Sequence, residues 1–477
     1  MAKQSTRTAW TVVLTLDGDG KLHRQVERAL RAAIRSGRVS TGTVLPPSRE
    51  LAAQLGCSRW AVTQAYSQLV TEGYLATRVG SGTWVSWTGR TTWPARTTPA
   101  PDVPTYRFDL APGAPDLRAF PRTRWAEAAR AAARTVPTAD LGYPQERGYP
   151  PLRELVADYL QRSRGAVATA SDVMIRSGVS AGVAHLCAGL RALGIDRIAV
   201  EDPGWTRLRA VIESTGLRVE PVPVDRDGID VEEVARRSGL RAVLVTAAHQ
   251  FPTGVVLAPR RRLELINWAR RVGGVILEDD YDAEFRYDRS PVGTLQGMAP
   301  EHVVLLGSVS KTLSPAIGIG WFVAQGRWRG LLERVSGPGP STLDQATFAE
   351  LLGSGAYDRH LRAMQRRYKR RRDHVLTAVR RELPTWTIGG AAAGLHLTLT
   401  YPAGVDASLL VAAARESGTR IVPLAEYRLR AAGDGIVLGY GNIADSDVDP
   451  AIRSLAAAFA AVHEVSAPSR SARPAAG

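Results

Sequence analysis

The sequence predicts an α/β protein: a large domain on a mostly parallel sheet, preceded by a winged helix-turn-helix and completed by a small C-terminal α+β subdomain. Three observations carry this reading. Short, wholly apolar runs recur through the middle of the chain, each ending abruptly in polar residues and each followed by a helical pattern, as strands buried on both faces of a right-handed parallel sheet require. Before them stand short helices separated by tight glycine turns and followed by a hairpin. The length of 477 residues exceeds one ordinary domain.

Composition bounds the function. The chain is 44% apolar, as a globular protein is, and carries a formal charge of +15. Such an excess points to an anionic partner, with nucleic acid the first candidate. Residues 1–90 hold twelve Lys and Arg against five Asp and Glu, so much of the excess sits at the start of the chain. Cys57 and Cys187 lie far apart and form neither a disulfide framework nor a metal spacing, which fits a reducing compartment. No apolar run approaches the length of a membrane span, and Trp10 to Leu16 is too short for a signal sequence. The expected location is the cytoplasm.

Taken in order, the first element begins at Leu22, where Val26, Leu30, Ala33 and Ile34 recur at helical spacing until Ser36-Gly37. The turn GTVLPPS leads to Ser48, an N-cap candidate for RELAAQLG, which Gly56 ends. Ser58 then caps RWAVTQAYSQLVTEG, which stops at Gly73, and two helices joined by so tight a turn have helix-turn-helix geometry. YLATR and TWVSW, joined by VGSG, read as a hairpin. This unit spans 18–87. Residues 88–107 are rich in Thr and Pro and lack periodicity, so they form a linker stiffened by four prolines. The large domain covers 108–464, and the low-complexity tail 465–477 is expected to be disordered.

Within the large domain, Leu141 to Leu160 is a Tyr-Pro/Gly loop followed by an amphipathic helix opened at Pro150-Pro151. VMIRSGVSAGVAHLCAGL is a strand that passes through Ser177-Gly178 into a helix. Its first amides would either hold a phosphate at Val179 and Ser180 or simply close a strand-to-helix turn. RIAVEDPGWTRLR and AVLVTAAHQFPTG are further strands. The basic run from Arg359 to Leu383 is a helix whose charges form a solvated face or a DNA-facing one. Leu395 to Thr400 and Gly435 to Tyr440 are strands of the small subdomain.

The chemistry centres on HVVLLGSVSKTLSPAIGIGW, in which an apolar strand delivers Lys311. The chain has only four lysines, Lys3, Lys21, Lys311 and Lys369, against a large excess of arginine. A lysine kept at the end of a buried strand therefore has a task arginine cannot perform: a desolvated amine loses its proton and forms a Schiff base with an aldehyde. The glycines of a nucleotide P-loop are missing here, since Ser310 and Leu305 stand at their positions. About thirty residues earlier, GGVILEDDYDAEFRY is another strand ending in acid. Asp279, Tyr281 and Lys311 thus fall in the crevice at the carboxyl ends of the strands. A carboxylate, a phenol and an amine are the groups pyridoxal 5′-phosphate (PLP) asks for. The rival reading of Glu278, Asp279, Asp280 and Asp282 is a magnesium site, and a lysine in the same crevice counts against it.

Lys311 preceded by Ser308 and Ser310, the EDDYD strand end, and the FPTG turn at Phe251 to Gly254 together resemble the aminotransferase class I/II domain of the MocR family of regulators. LPPSRELAAQLGCSRWAVTQAYSQLVTEGYLATRVGSGTWV resembles the family's GntR-type winged helix. The resemblance implies a PLP-dependent, fold type I domain used for sensing rather than net turnover, in a homodimer that binds a double-stranded DNA operator. It implies that Ser308 and Ser310 lie at the cofactor, and that Tyr143 reaches the cofactor phosphate of the other subunit. Trp205 and Arg207 would line an effector pocket for an amino compound or PLP itself, with Arg430 a second cation named only from its place near the last strand. It further implies that Ser48, Arg49, Ser58, Arg59, Thr63 and Tyr66 face DNA, with Arg78 and Gly80 on the wing. Trp60 and Ala61 depart from the family's Asn-Thr, which bears on base preference. Phe251 stands where true aminotransferases carry asparagine, a departure this regulator family shares. Seven residues after the lysine, the family arginine that pairs with the cofactor phosphate is here Gly318, so weaker cofactor binding is expected. Two other outcomes stay open: a working aminotransferase with a DNA-binding appendage, and a regulator that has lost PLP and binds another ligand.

Overall fold

The structure is a computed structural model that describes residues 12–78, 82–89, 105–287, 292–335, 337, 339–390, 392–430 and 434–466. Most of the expected linker, the tail beyond 466 and Gly80 lie outside the described residues. The chain divides into two compact units between Val103 and Pro104.

In the first unit the helix Leu22–Arg35 presents Val26, Leu30, Ala33 and Ile34, spaced to share one face, to a core completed by Leu51, Val62, Ala65, Leu69, Leu75 and Val85. The helix Ser48–Leu55 stops at Gly56, whose φ of +63° is the left-handed turn glycine adopts without cost. Three residues on, Arg59–Thr71 begins, with the Ser58 side chain accepting from the Ala61 amide as expected. Ser48 differs: the helix starts on it and Pro47 is the cap residue, because the extended Pro46-Pro47 pair already sets the entry. The hairpin pairs Leu75–Arg78 with Gly82–Val85, Arg78 opposite Gly82.

The second unit is built on an eight-stranded sheet. Its strands lie in the order Val173–Arg176, Gly320–Val323, Val303–Ser308, Val275–Asp279, Ala242–Val245, Arg197–Asp202, Arg218–Asp225, Gly228–Ile229. The five strands from Val303–Ser308 to Arg218–Asp225 run parallel, and Gly320–Val323 lies antiparallel to both its neighbours. Period-two alternation explains why these runs are apolar throughout. Ala242, Leu244, Val275 and Leu277 enter one core, and Val243, Val245 and Ile276 enter the core on the opposite face. The small subdomain is an antiparallel sheet in the order Thr387–Gly389, His396–Thr400, Ile436–Gly439, Val422–Pro423, backed by the helices Ala356–Glu382, Ala407–Glu416 and Val448–Ser466. Among the described residues, no helix is long and apolar enough to cross a membrane.

One buried ion pair ties the carboxyl edge of the sheet to a surrounding helix. Arg164, last residue of Pro150–Arg164, places Nε 2.7 Å and Nη2 2.9 Å from the two carboxylate oxygens of Asp280. Their side chains are 1% and 5% exposed. Removing one partner of such a pair leaves an uncompensated buried charge, so Arg164→Leu should lower unfolding free energy by about 3–5 kcal/mol. The urea midpoint reads this, and Arg164→Leu combined with Asp280→Leu should recover most of the loss.

Candidate functional site

The parallel strands end together, and Glu201, Asp279 and Lys311 project from or just beyond their carboxyl ends into one cavity. After Ser308 the chain makes a tight turn in which the Val309 carbonyl accepts from the amides of Leu313 and Ser314. Tyr357 Oη and His360 Nε2, both on the long helix, fix Thr312 at 2.9 Å each. Lys311 is thereby held with its amine inside, donating to the Gly113 carbonyl and lying 5.3 Å from the centre of the Trp205 ring. Burial lowers its pKa, Asp282 and Asp279 work against that, and the Arg207 charge adds to the lowering. A desolvated amine of this kind is a nucleophile.

The four acids of the next strand end have four different fates. The Glu278 carboxylate accepts from the Leu295 and Gln296 amides at 2.9 and 3.0 Å. Asp280 is taken by Arg164, and Asp282 accepts from His249 Nδ1 at 3.0 and 3.1 Å. Asp279 and Asp282 both line the cavity, but of the four only Asp279 keeps a buried oxygen, Oδ1, without a partner, and burial, then the Asp280 charge, push its carboxyl up to about 7. Acids with such separate partners do not converge on one magnesium ion, and the orphaned oxygen fits a ring nitrogen that brings its own proton.

Around this pair stand groups to which the sequence reading gave no part. Glu201 lines the cavity, accepting from Thr246 and Gln250, and burial raises it to about 7. His396, on the inner face of the subdomain strand, gives Nε2 to the Pro252 carbonyl at 3.1 Å. His249 Nδ1 lies 3.0 Å from Tyr281 Oη as well as beside Asp282. Arg209 also lines the cavity, one helical turn beyond Trp205. A histidine directly after the buried strand AVLVTAA was the available signal for His249; its partner is 33 residues away and left none. Among the described residues, His249, Asp282 and His396 bring three metal-type donor atoms within 4.8 Å of one another. Their hydrogen bonds already account for the contacts, and Lys311 bears on His396 as a like charge.

The other expected residues are distributed as follows. Trp205 and Tyr281 line the cavity, and Val179 and Ser180 open the helix Val179–Ala192 behind Gly178 at φ +84°. Ser308 Oγ accepts from the Ser310 amide at 3.3 Å. Gly318 adopts φ +65°, with nothing within 4 Å of where a Cβ would stand. Tyr143 is fully exposed in the single chain. Arg207 is exposed, yet close enough to bear on Lys311. Arg430 is not brought to the cavity: Nη2 pairs with Glu233 at 2.9 Å and donates to the Pro221 carbonyl, which satisfies the charge elsewhere.

In the winged helix Arg49, Ser58, Arg59, Thr63 and Arg78 are exposed, and Ser48 is half-buried and accepts from Arg59 Nε at 3.3 Å. Trp60 is 62% exposed, its ring edge-on to His23. Tyr66 corrects the expectation. It is buried, and its hydroxyl donates to the Pro46 carbonyl at 2.9 Å, so it braces the turn before the second helix instead of facing DNA.

A winged helix followed by a large domain of the aminotransferase class defines a DNA-binding transcription regulator whose second domain implies PLP. Residues 22–85 match the gntR family of bacterial regulatory proteins and residues 108–433 the aminotransferase class I and II family. The chain is 33% identical to the probable rhizopine catabolism regulatory protein MocR of Rhizobium meliloti, covering 94% of this chain and 96% of that one. It is 32% identical to the pyridoxine biosynthesis transcriptional regulator PdxR of Corynebacterium glutamicum, covering 88% and 91%. The chain belongs to the MocR family of GntR-type regulators. The multiple substrate aminotransferase of Thermococcus profundus shares the large domain's fold, at 23% identity with a TM-score of 0.67 over 75% of this chain and 92% of that one.

The raised acids make stability pH-dependent in a defined direction. A carboxyl whose folded pKa lies above its unfolded value of about 4 contributes stability that is fully present below that value and lost as pH rises through the folded one. For Asp279 and Glu201 the folded value is about 7. The thermal midpoint of the ligand-free protein should therefore fall between about pH 5 and pH 8, and Asp279→Asn should flatten part of that fall.

Proposed function

We propose that this protein is a homodimeric regulator in which residues 18–87 bind a double-stranded operator and domain 108–464 holds PLP on Lys311, sensing an amino compound or PLP itself without net turnover. The observation that carries this is the meeting of a desolvated amine and an unpartnered buried carboxylate in one cavity. When bound, PLP supplies an aldehyde for exchange between amines and an electron-withdrawing ring. Asp279 would hold a proton at the ring nitrogen, Tyr281 would donate to the ring oxygen, and Trp205 would pack against the ring. Val179, Ser180, Ser308, Ser310 and backbone amides would hold the phosphate, with Tyr143 of the partner subunit. An amino compound competing with the Lys311 amine would leave that side chain free, and the domain's response would pass to the winged helices.

Two observations bear on the signal. Arg207 is a free-facing cation close enough to act on Lys311, which suits an amine carrying a carboxylate. Gly318 removes the family's phosphate cation, worth roughly 1.5–3 kcal/mol as a charge-assisted bond, or about ten- to a hundredfold in affinity. Weak loading suits a sensor of free PLP, and the likeness to a pyridoxine biosynthesis regulator supports that choice.

Titration with PLP tests the reading. Wild type should develop a visible absorbance band, Lys311→Ala should not, and Gly318→Arg should bind more tightly. A band that survives in Lys311→Ala overturns the assignment, and equal, tight binding in wild type and Gly318→Arg would show that another group has replaced the arginine. On the DNA side, Arg49→Ala and Arg59→Ala should each weaken operator binding by roughly 1–3 kcal/mol if they read bases, and lower the salt slope if they contact phosphate. Operator binding by a chain lacking residues 1–90 would sink the winged-helix assignment.

A further inference from the structure

The pair formed by Asp282 and His249 has no part in the chemistry above, yet it touches one of its members. His249 Nδ1 lies 3.1 and 3.0 Å from the two oxygens of Asp282 and 3.0 Å from Tyr281 Oη, and both side chains of the pair are 1% exposed. A carboxylate only accepts, so Nδ1 carries a hydrogen. A nitrogen that already bears hydrogen cannot accept the phenol's proton; the Tyr281 oxygen instead shares the N–H, and its own hydrogen, which the Asp282 carboxylate also attracts, is the one an acceptor in the cavity has to draw away. Nε2 is buried with no partner, and a Cβ on Gly254 would stand 3.2 Å from it. No acceptor awaits a second proton there, so the ring has one favoured tautomer. At Phe251, where true aminotransferases carry asparagine, there is no side-chain donor, so Tyr281 serves the ring oxygen without help from that position.

We propose that the Asp282–His249 pair is a positioning device that fixes the Tyr281 oxygen so that the phenol hydrogen is donated into the cavity shared with Lys311. This rests on the reading that Lys311 holds PLP. A donor to the ring oxygen weakens that oxygen's hold on a proton at the Lys311 nitrogen, so losing it makes that nitrogen harder to deprotonate. The charged and titratable groups facing the network are Asp279, Glu201, Lys311, His396, Tyr287 and Tyr440, and none of them is altered in the variants below.

The test is a pH titration of the visible absorbance of PLP-loaded protein. His249→Phe should raise the midpoint by about one unit, a tenfold change in proton affinity. His249→Asn, whose amide N–H falls near the place of Nδ1–H, should restore it. Tyr281→Phe should raise the midpoint equally, and combining it with His249→Phe should add nothing more. In parallel, nitrogen-15 NMR of histidine-labelled, ligand-free protein should show one ring with hydrogen held at Nδ1, which changes tautomer in Asp282→Asn. An unchanged midpoint in His249→Phe, additive shifts in the double variant, or an Nε2-protonated His249 each overturns the proposal. A wild type that forms no band overturns the reading of Lys311 and this link to it, whatever tautomer NMR reports.

Discussion

Carboxylates that leave water must find partners, and that constraint organises the whole carboxyl edge of the sheet. Backbone amides take Glu278, an arginine from a neighbouring helix takes Asp280, and a histidine from the next strand's loop takes Asp282. Each satisfied acid fixes an element: the Leu295–Met298 turn, the end of Pro150–Arg164, the loop after Ala242–Val245. The one acid left over, Asp279, shares the cavity with the Lys311 amine, on which Asp282 also acts. Three ties thus define the walls, and the single unmet demand defines what the cavity can receive.

Arginine and lysine divide the cationic work along the same line. Buried guanidinium groups act as multidentate struts: Arg262 donates to the carbonyls of Leu257, Gly293 and Ala247, and Arg371 joins Asp116, Asp445 and the Gly441 carbonyl. A permanently charged, forked group suits that role because it never titrates. The amine of Lys311 has one protein acceptor and a lowered pKa, which is what a reacting group needs and a strut does not.

Much of this was legible in the sequence. Strands buried on both faces announce themselves as unbroken apolar runs, and their polar ends put Asp279, Tyr281 and Lys311 in one cavity that all three line. Glycines and Ser58 marked the winged helix for the same local reason. What stayed hidden depends on contacts between distant segments. Arg430 looked free because Glu233, its partner, lies 197 residues earlier. Tyr66 sits at a helical position whose burial depends on a turn 20 residues back. His249 bonds to Asp282 33 residues on and His396 to the Pro252 carbonyl 144 residues back, and periodicity carries no record of such pairings.

Gly318 couples the choice of side chain to the conformation of the backbone. The residue closes a short turn after Pro315–Ile317 in the left-handed region, where a residue with a Cβ is strained by roughly 1–2 kcal/mol. Space for a larger side chain exists, so the obstacle is the backbone and not crowding. A side chain placed at 318 therefore acts through two opposed terms, the contact it gains and the backbone strain it brings. At a position with negative φ the second term is absent, so equal contacts made elsewhere would yield more affinity than the same contact made from 318.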